Sequence, residues 1–102
     1  MVGAFPGATI TKIRPAVVLS TEDYHLHRPD VILGLITTQL PGPFAPTDCE
    51  IRDWRQAGLR APSYFRLYLV TLSQREVRAI GRLSDADWRN VLACFRLGMG
   101  GE

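Results

Sequence analysis

Apolar residues along this chain fall into short runs separated by turn residues, and one later stretch repeats at helical spacing. Val2 to Phe5 is the first run; Pro6-Gly7 breaks it, so a strand followed by a loop over Ala8 to Lys12 is predicted. Ala16 to Ser20 and Val31 to Thr37 are short, rich in Val, Ile and Leu, and bounded by turn residues. That pattern predicts buried strands rather than helices. Thr21 to Pro29 joins them with acidic residues, two histidines and a tyrosine, and reads as a connecting loop. Leu40 to Thr47 contains Pro41, Gly42, Pro43 and Pro46 and must be a loop. Asp48 to Ile51 alternates polar and apolar residues and predicts a short strand. Asp53 to Ala57 has room for one helical turn, which Gly58 ends. Tyr64 to Leu72 is a further strand region, and Arg66 within it marks one face as wet.

Ser84 to Leu97 is the clearest helix. Ser84 can cap it, and Asp85 and Asp87 in the first turn complement the helix dipole. Trp88, Val91, Leu92 and Phe95 form an apolar stripe, and Gly98 is a natural stop. Strands dominate and the helix comes last. The expected class is therefore α+β: a small, mostly antiparallel, curved sheet with a C-terminal helix packed against it, in one domain over 1–102.

Composition changes this picture little. The chain has 102 residues, 46% of them hydrophobic and 22% charged, as in an ordinary globular domain. The net charge is +2 and the pI about 8.8, a mild bias toward anionic partners. Of the 12 basic residues only Lys12 is a lysine; the rest are arginines, whose planar fork suits phosphate and stacks on bases. A GC-rich coding sequence gives the same bias. Cys49 and Cys94 stand in no motif and read as reduced, partly buried thiols. No apolar run reaches the length of a membrane span. No basic residue precedes the N-terminal apolar stretch, so it does not read as a signal peptide, and a cytoplasmic protein is expected.

Candidate chemistry lies at the ends of two strands. Arg14 stands at the mouth of one apolar run, and Thr37, Thr38 and Gln39 stand at the end of the next. If the runs pair, a forked cation and several hydroxyl and amide donors converge on one sheet edge, which is what holding a phosphodiester requires. Taken alone, Arg14 reads as a surface or ion-paired residue, and the threonines as ordinary β-branched strand-end residues. His25 and His27 are placed as exposed loop residues rather than an acid–base pair. Tyr24, Phe44, Trp54 and Tyr64 are able to stack on unpaired bases, although Trp54 is more readily a core anchor. Asp48, Glu50 and Asp53 lack a metal-binding spacing and read as a solvated acidic face.

Four segments, in this order, resemble the PemK/MazF-type toxins of bacterial toxin–antitoxin systems: Arg14-Pro15-Ala16-Val17-Val18-Leu19-Ser20, then Leu35-Ile36-Thr37-Thr38-Gln39, then Pro62 to Leu67, then Ile80-Gly81-Arg82-Leu83-Ser84 opening the helix. The resemblance covers about Phe5 to Leu97. It implies a barrel-like sheet, a homodimer, and an endoribonuclease that cuts single-stranded RNA without a metal or other cofactor until an antitoxin covers its groove. It also implies a catalytic role for Arg14 and Thr37. Thr38, Gln39, Lys12, Tyr24, His25 and Phe44 are the supporting or RNA-binding residues expected with them.

The chain departs from the family pattern in having no Arg-Gly-Asp before the first strand. Its loop over Pro6 to Ile13 is short and without acidic residues. The strand after Arg66-Leu67 also reads as one residue short. Two other readings stay open: a CcdB-like poison that binds another protein, and a degenerate toxin that binds antitoxin without cutting RNA. The tail Met99-Gly100-Gly101-Glu102 lacks the Trp-Gly-Ile ending of CcdB-type toxins.

Overall fold

The structure is a computed structural model and describes residues 2–6, 13–39 and 44–99. Its strands are β1 (Val2–Pro6), β2 (Ile13–Val18), β3 (Asp30–Thr37), β4 (Cys49–Ile51), β5 (Ser63–Ser73) and β6 (Arg78–Gly81). Two helices, α1 (Glu22–His27) and α2 (Asp85–Gly98), and a 3-10 turn at Gln74–Glu76 complete it. The six strands make one sheet in the order β4-β5-β3-β2-β1-β6, and every neighbouring pair is antiparallel. The expected class therefore holds. No helix of the described residues is long and apolar enough to cross a membrane.

Burial explains the strands. Successive residues of β2 point to opposite faces, and both sets are buried. Val17 joins Ile36, Ile51, Phe65, Val91 and Cys94 in the core beneath α2. Ala16 and Val18 join Val31 and Leu33 on the other face. A strand covered on both sides reads as an unbroken apolar run, as this one does. The strand at 63–73 spans 11 residues. It absorbs extra length in a bulge, since Gly34 pairs with Leu69 while Leu35 pairs with Arg66.

Two elements differ from the sequence expectation. Thr21 to Pro29 is not simply a loop; it contains α1. Thr21 caps that helix, but none of its residues is buried, so it has no apolar stripe to betray it. Beta-strand β6 precedes α2 where only the approach to the helix is expected. It is a four-residue edge strand with Arg78 and Ala79 exposed, and it lacks the alternation that marks a strand.

The two edges of the sheet are drawn toward each other. Residues 52–58 after β4 form a turn closed by backbone bonds from Ala57 N to Asp53 O and from Leu59 N to Trp54 O. Gly58 sits there at φ +86°, a conformation that favours glycine. A Cβ on Gly58 would strike the Ile80 carbonyl oxygen, and one on Gly81 would strike the Ala57 carbonyl. Backbone thus lies directly on backbone where the β4–β5 connection meets β6. The contact curls the sheet toward a barrel. Helix α2 is locked to the same turn. Ser84 Oγ accepts from Asp87 N at 3.2 Å, and the buried Asp87 carboxylate accepts from Arg52 N at 3.1 Å and Asp53 N at 2.8 Å.

Candidate functional site

Strand pairing decides where the candidate residues meet. Ala16 pairs with Leu35, and Val17 with Gly34. Continued by two residues, that register sets Arg14 opposite Thr37. Directly opposed residues share a face, and here they stand at the strand ends, where the sheet face gives way to solvent. Arg14, Pro15, Ile36, Thr37, Thr38 and Ser63 line one pocket of about 260 Å³. The structure therefore brings Arg14 and Thr37 to a single concavity. Arg14 is exposed and Thr37 half-buried.

The Thr37 hydroxyl is already engaged. It donates to Gln39 O at 2.8 Å and accepts from Gln39 N at 3.2 Å. This tight local turn fixes the strand end and leaves Thr38 exposed on its shoulder. Gln39 takes part through its backbone. Tyr64 is the cross-strand partner of Thr37, and the Phe44 ring meets Tyr64 edge-on at 6.2 Å. Phe44 is thus placed near the pocket, one aromatic ring removed. Lys12 lies outside the described residues.

Tyr24 and His25 are placed elsewhere. They belong to α1, which joins the opposite ends of β2 and β3, roughly 15–20 Å away by strand rise. The Tyr24 hydroxyl donates to Asp30 Oδ2 at 2.6 Å, and that bond holds its phenol above the usual range. His25 Nε2 is 2.6 Å from Ser20 Oγ, which also accepts from Ile32 N. Both side chains fasten α1 to the sheet. Within the chain they do not reach the Arg14 pocket. His25 and His27, expected in an exposed loop, both lie in α1, where His25 is half-buried and His27 exposed. Trp54 packs against the core, with the Arg55 guanidinium 4.7 Å from its ring centre.

Sequence reasoning passed over three residues here. Ser63 is buried on the pocket wall and donates to Ala61 O at 2.8 Å. Arg60 and Arg78, both exposed, line a second pocket of about 520 Å³. Pro15, Thr38 and Ser63 belong to both pockets, so the two are contiguous. None of the described lining residues is acidic. The combined groove is cationic, with hydroxyls at one end and apolar walls at the other. Among the described residues no group of three or more His, Cys, Asp and Glu side chains is arranged to hold a metal ion.

The chain is thus a curved antiparallel sheet with a C-terminal helix packed against it, and Arg14 and Thr37 stand at one rim of the sheet. The family described as PemK-like, MazF-like toxin of type II toxin–antitoxin systems matches residues 3–99, and the chain belongs to it. No curated protein sequence matches the chain closely enough to count as a relative. Solved structures share the fold. A Mycobacterium tuberculosis toxin, MazF-mt6, superposes with a TM-score of 0.73 at 22% identity, over 91% of this chain and 89% of its own. A second M. tuberculosis toxin gives 0.72 at 21% identity, over 94% and 99% of the two chains. An endoribonuclease in complex with its cognate antitoxin, from a mycobacterial species, gives 0.71 at 17% identity, over 98% and 95%.

Proposed function

We propose that this toxin is an endoribonuclease that cuts single-stranded RNA at the Arg14–Thr37 pocket. The observation that carries the reading is the shared pocket of about 260 Å³, lined by a guanidinium and a hydroxyl on neighbouring strand ends. RNA supplies its own nucleophile. The 2′-hydroxyl attacks the adjacent phosphorus, the bond to the 5′-oxygen breaks, and a 2′,3′-cyclic phosphate remains. The protein must align these groups and stabilise charge on the phosphoryl oxygens. Arg14 provides charge and a double hydrogen bond for that purpose. Arginine keeps its proton in proteins, so Arg14 is a poor base and acts chiefly as an electrostatic clamp. Thr37 exchanges its bond to Gln39 O for one to a non-bridging oxygen, and Thr38 supports from the rim.

The same reading includes a cytoplasmic homodimer held in check by an antitoxin. Tyr68 and Leu69, exposed at the β5 bulge, offer apolar surface for a second copy. An antitoxin with an acidic extended segment complements the cationic groove. The neighbour solved with its cognate antitoxin supports such a partner.

Cleavage of single-stranded RNA in EDTA tests the proposal. Wild-type protein is expected to cut RNA, to leave DNA of the same sequence intact because it lacks the attacking hydroxyl, and to yield cyclic phosphate ends. Arg14→Ala is expected to lose about 10²–10³-fold in rate with its fold unchanged. Full activity in that variant removes Arg14 from the mechanism.

A further inference from the structure

We infer that the larger pocket is a second nucleotide subsite of the same groove, in which Arg60 and Arg78 hold the neighbouring phosphate of the RNA strand while Pro15, Leu59 and Ile80 support a base. The inference rests on the RNA reading above and extends it to residues that reading does not use.

Continuity is the first argument. The two pockets share Pro15, Thr38 and Ser63, so a strand whose scissile linkage lies against Arg14 and Thr37 runs directly into the larger space. Size is the second. At about 520 Å³ the larger pocket has twice the volume of the smaller. It falls within the usual range for a small-molecule site, about 300–1,000 Å³. Its chemistry is divided as a nucleotide is: apolar walls from Pro15, Leu59 and Ile80, and forked cations at Arg60 and Arg78. Among the described residues the ion pair is Arg52 with Glu50, elsewhere on the surface. Two like charges around one pocket repel, and a bound anion relieves that repulsion.

Placement is the third argument. Arg60 lies two residues beyond Gly58, whose backbone presses on Ile80. Arg78 lies two residues before Ile80 on β6, where it pairs with Ala4, and Ala4 pairs in turn with Pro15 of β2. The glycine contact thus sets the Arg60 loop beside the Arg78 strand, with Pro15 on the same row of the sheet. A site built on pinned backbone loses less freedom when it binds.

The test measures binding separately from cleavage. A short fluorescent single strand carrying 2′-fluoro groups keeps the RNA shape but cannot be cut, and its affinity is measured by anisotropy over a salt series. Arg60→Ala/Arg78→Ala is expected to weaken binding about tenfold or more per guanidinium. It should also lower the slope of log K against log salt by about 0.7 for each phosphate no longer neutralised. Arg60→Lys/Arg78→Lys should keep most of the slope, and Arg89→Ala/Arg96→Ala on α2 should change neither quantity.

Wild-type affinity and slope in Arg60→Ala/Arg78→Ala overturn the inference, whether or not that variant loses affinity for polyglutamate as a stand-in for an acidic protein segment. Equal losses in the α2 variant overturn it as well, since they show only the effect of net charge. Failure of the wild type to bind the strand overturns both this inference and the nuclease reading. Binding that depends on Arg60 and Arg78, in a protein that cuts no unmodified RNA, sinks the nuclease reading and leaves the subsite standing.

Discussion

Thr37 shows how one side chain serves structure and candidate chemistry together. Its hydroxyl closes the 37–39 turn, and it faces the pocket that Arg14 lines. Valine has nearly the same shape but cannot make the turn or donate to phosphate. Thr37→Val is therefore expected to lower the single-turnover rate of RNA cleavage roughly 10²-fold, while Thr37→Ser keeps most of it. A Thr37→Val variant as fast as wild type removes the hydroxyl from the chemistry. The meeting of Arg14 and Thr37 was legible in the sequence because one opens an apolar run, the other closes the next, and adjacent runs usually pair. Ser63, Arg60 and Arg78 were not. They lie far along the chain from Arg14: β5 pairing with β3 brings Ser63 near it, pairing through β1 brings Arg78, and the turn pressed on β6 brings Arg60. Tyr24 and His25 looked eligible by chemistry, yet their bonds to Asp30 and Ser20 hold them at the other end of the strands.

Elements with a strong local signal were read correctly, and those held by neighbours alone were not. Helix α2 carries its cap and its apolar period within its own sequence, so its limits emerge from either source. The part of Asp87 was only half visible. It looked like a first-turn acid favoured by the helix dipole, but it is buried and caps the amides of Arg52 and Asp53. Asp87→Ala leaves those two amides without their charged acceptor. A loss of about 2–4 kcal/mol in urea unfolding is expected. Helix α1 and strand β6 escaped because neither buries a periodic face; bonds from Thr21, Tyr24 and His25, or pairing to β1, define them instead.

The packing of β4 against α2 carries a pH signature. Burial, with the nearby Cys94 adding to it, pushes the Cys49 thiol up to about 12 from an ordinary 9.0. Below pH 9 both folded and unfolded thiols are protonated and stability is unaffected. Above it the unfolded chain ionises first, so stability falls as pH rises toward 12. Urea midpoints measured upward from pH 8 should decline, and Cys49→Ala should flatten the decline.

At the scale of the whole molecule, closure of the sheet is the decisive event. β4 and β6 are the two edges of its six-stranded sheet. The backbone contact between residues 57–58 and 80–81 brings them together and shapes the groove. Gly58→Ala adds a Cβ where φ is positive and where the Ile80 carbonyl already stands. The expected loss is about 2 kcal/mol or more, which lowers Tm by roughly 10 °C, read by calorimetry. RNA affinity should fall with it, because the Arg60 loop loses its anchor. An unchanged Tm shows that the contact is not holding the sheet. This contact was the least legible feature of the fold: the sequence displays Gly58 as the end of a turn and Gly81 as part of the approach to the helix, and their meeting depends on the packing of everything between them.

That meeting bears on when the toxin becomes dangerous to the cell that makes it. A ribosome releases Arg14 early and Arg78 among the last quarter of the chain. Until the C-terminal portion emerges and folds back, a growing polypeptide has one wall of the groove and not the other. If the groove works as proposed, nascent chains are harmless, and an antitoxin need recognise only finished molecules.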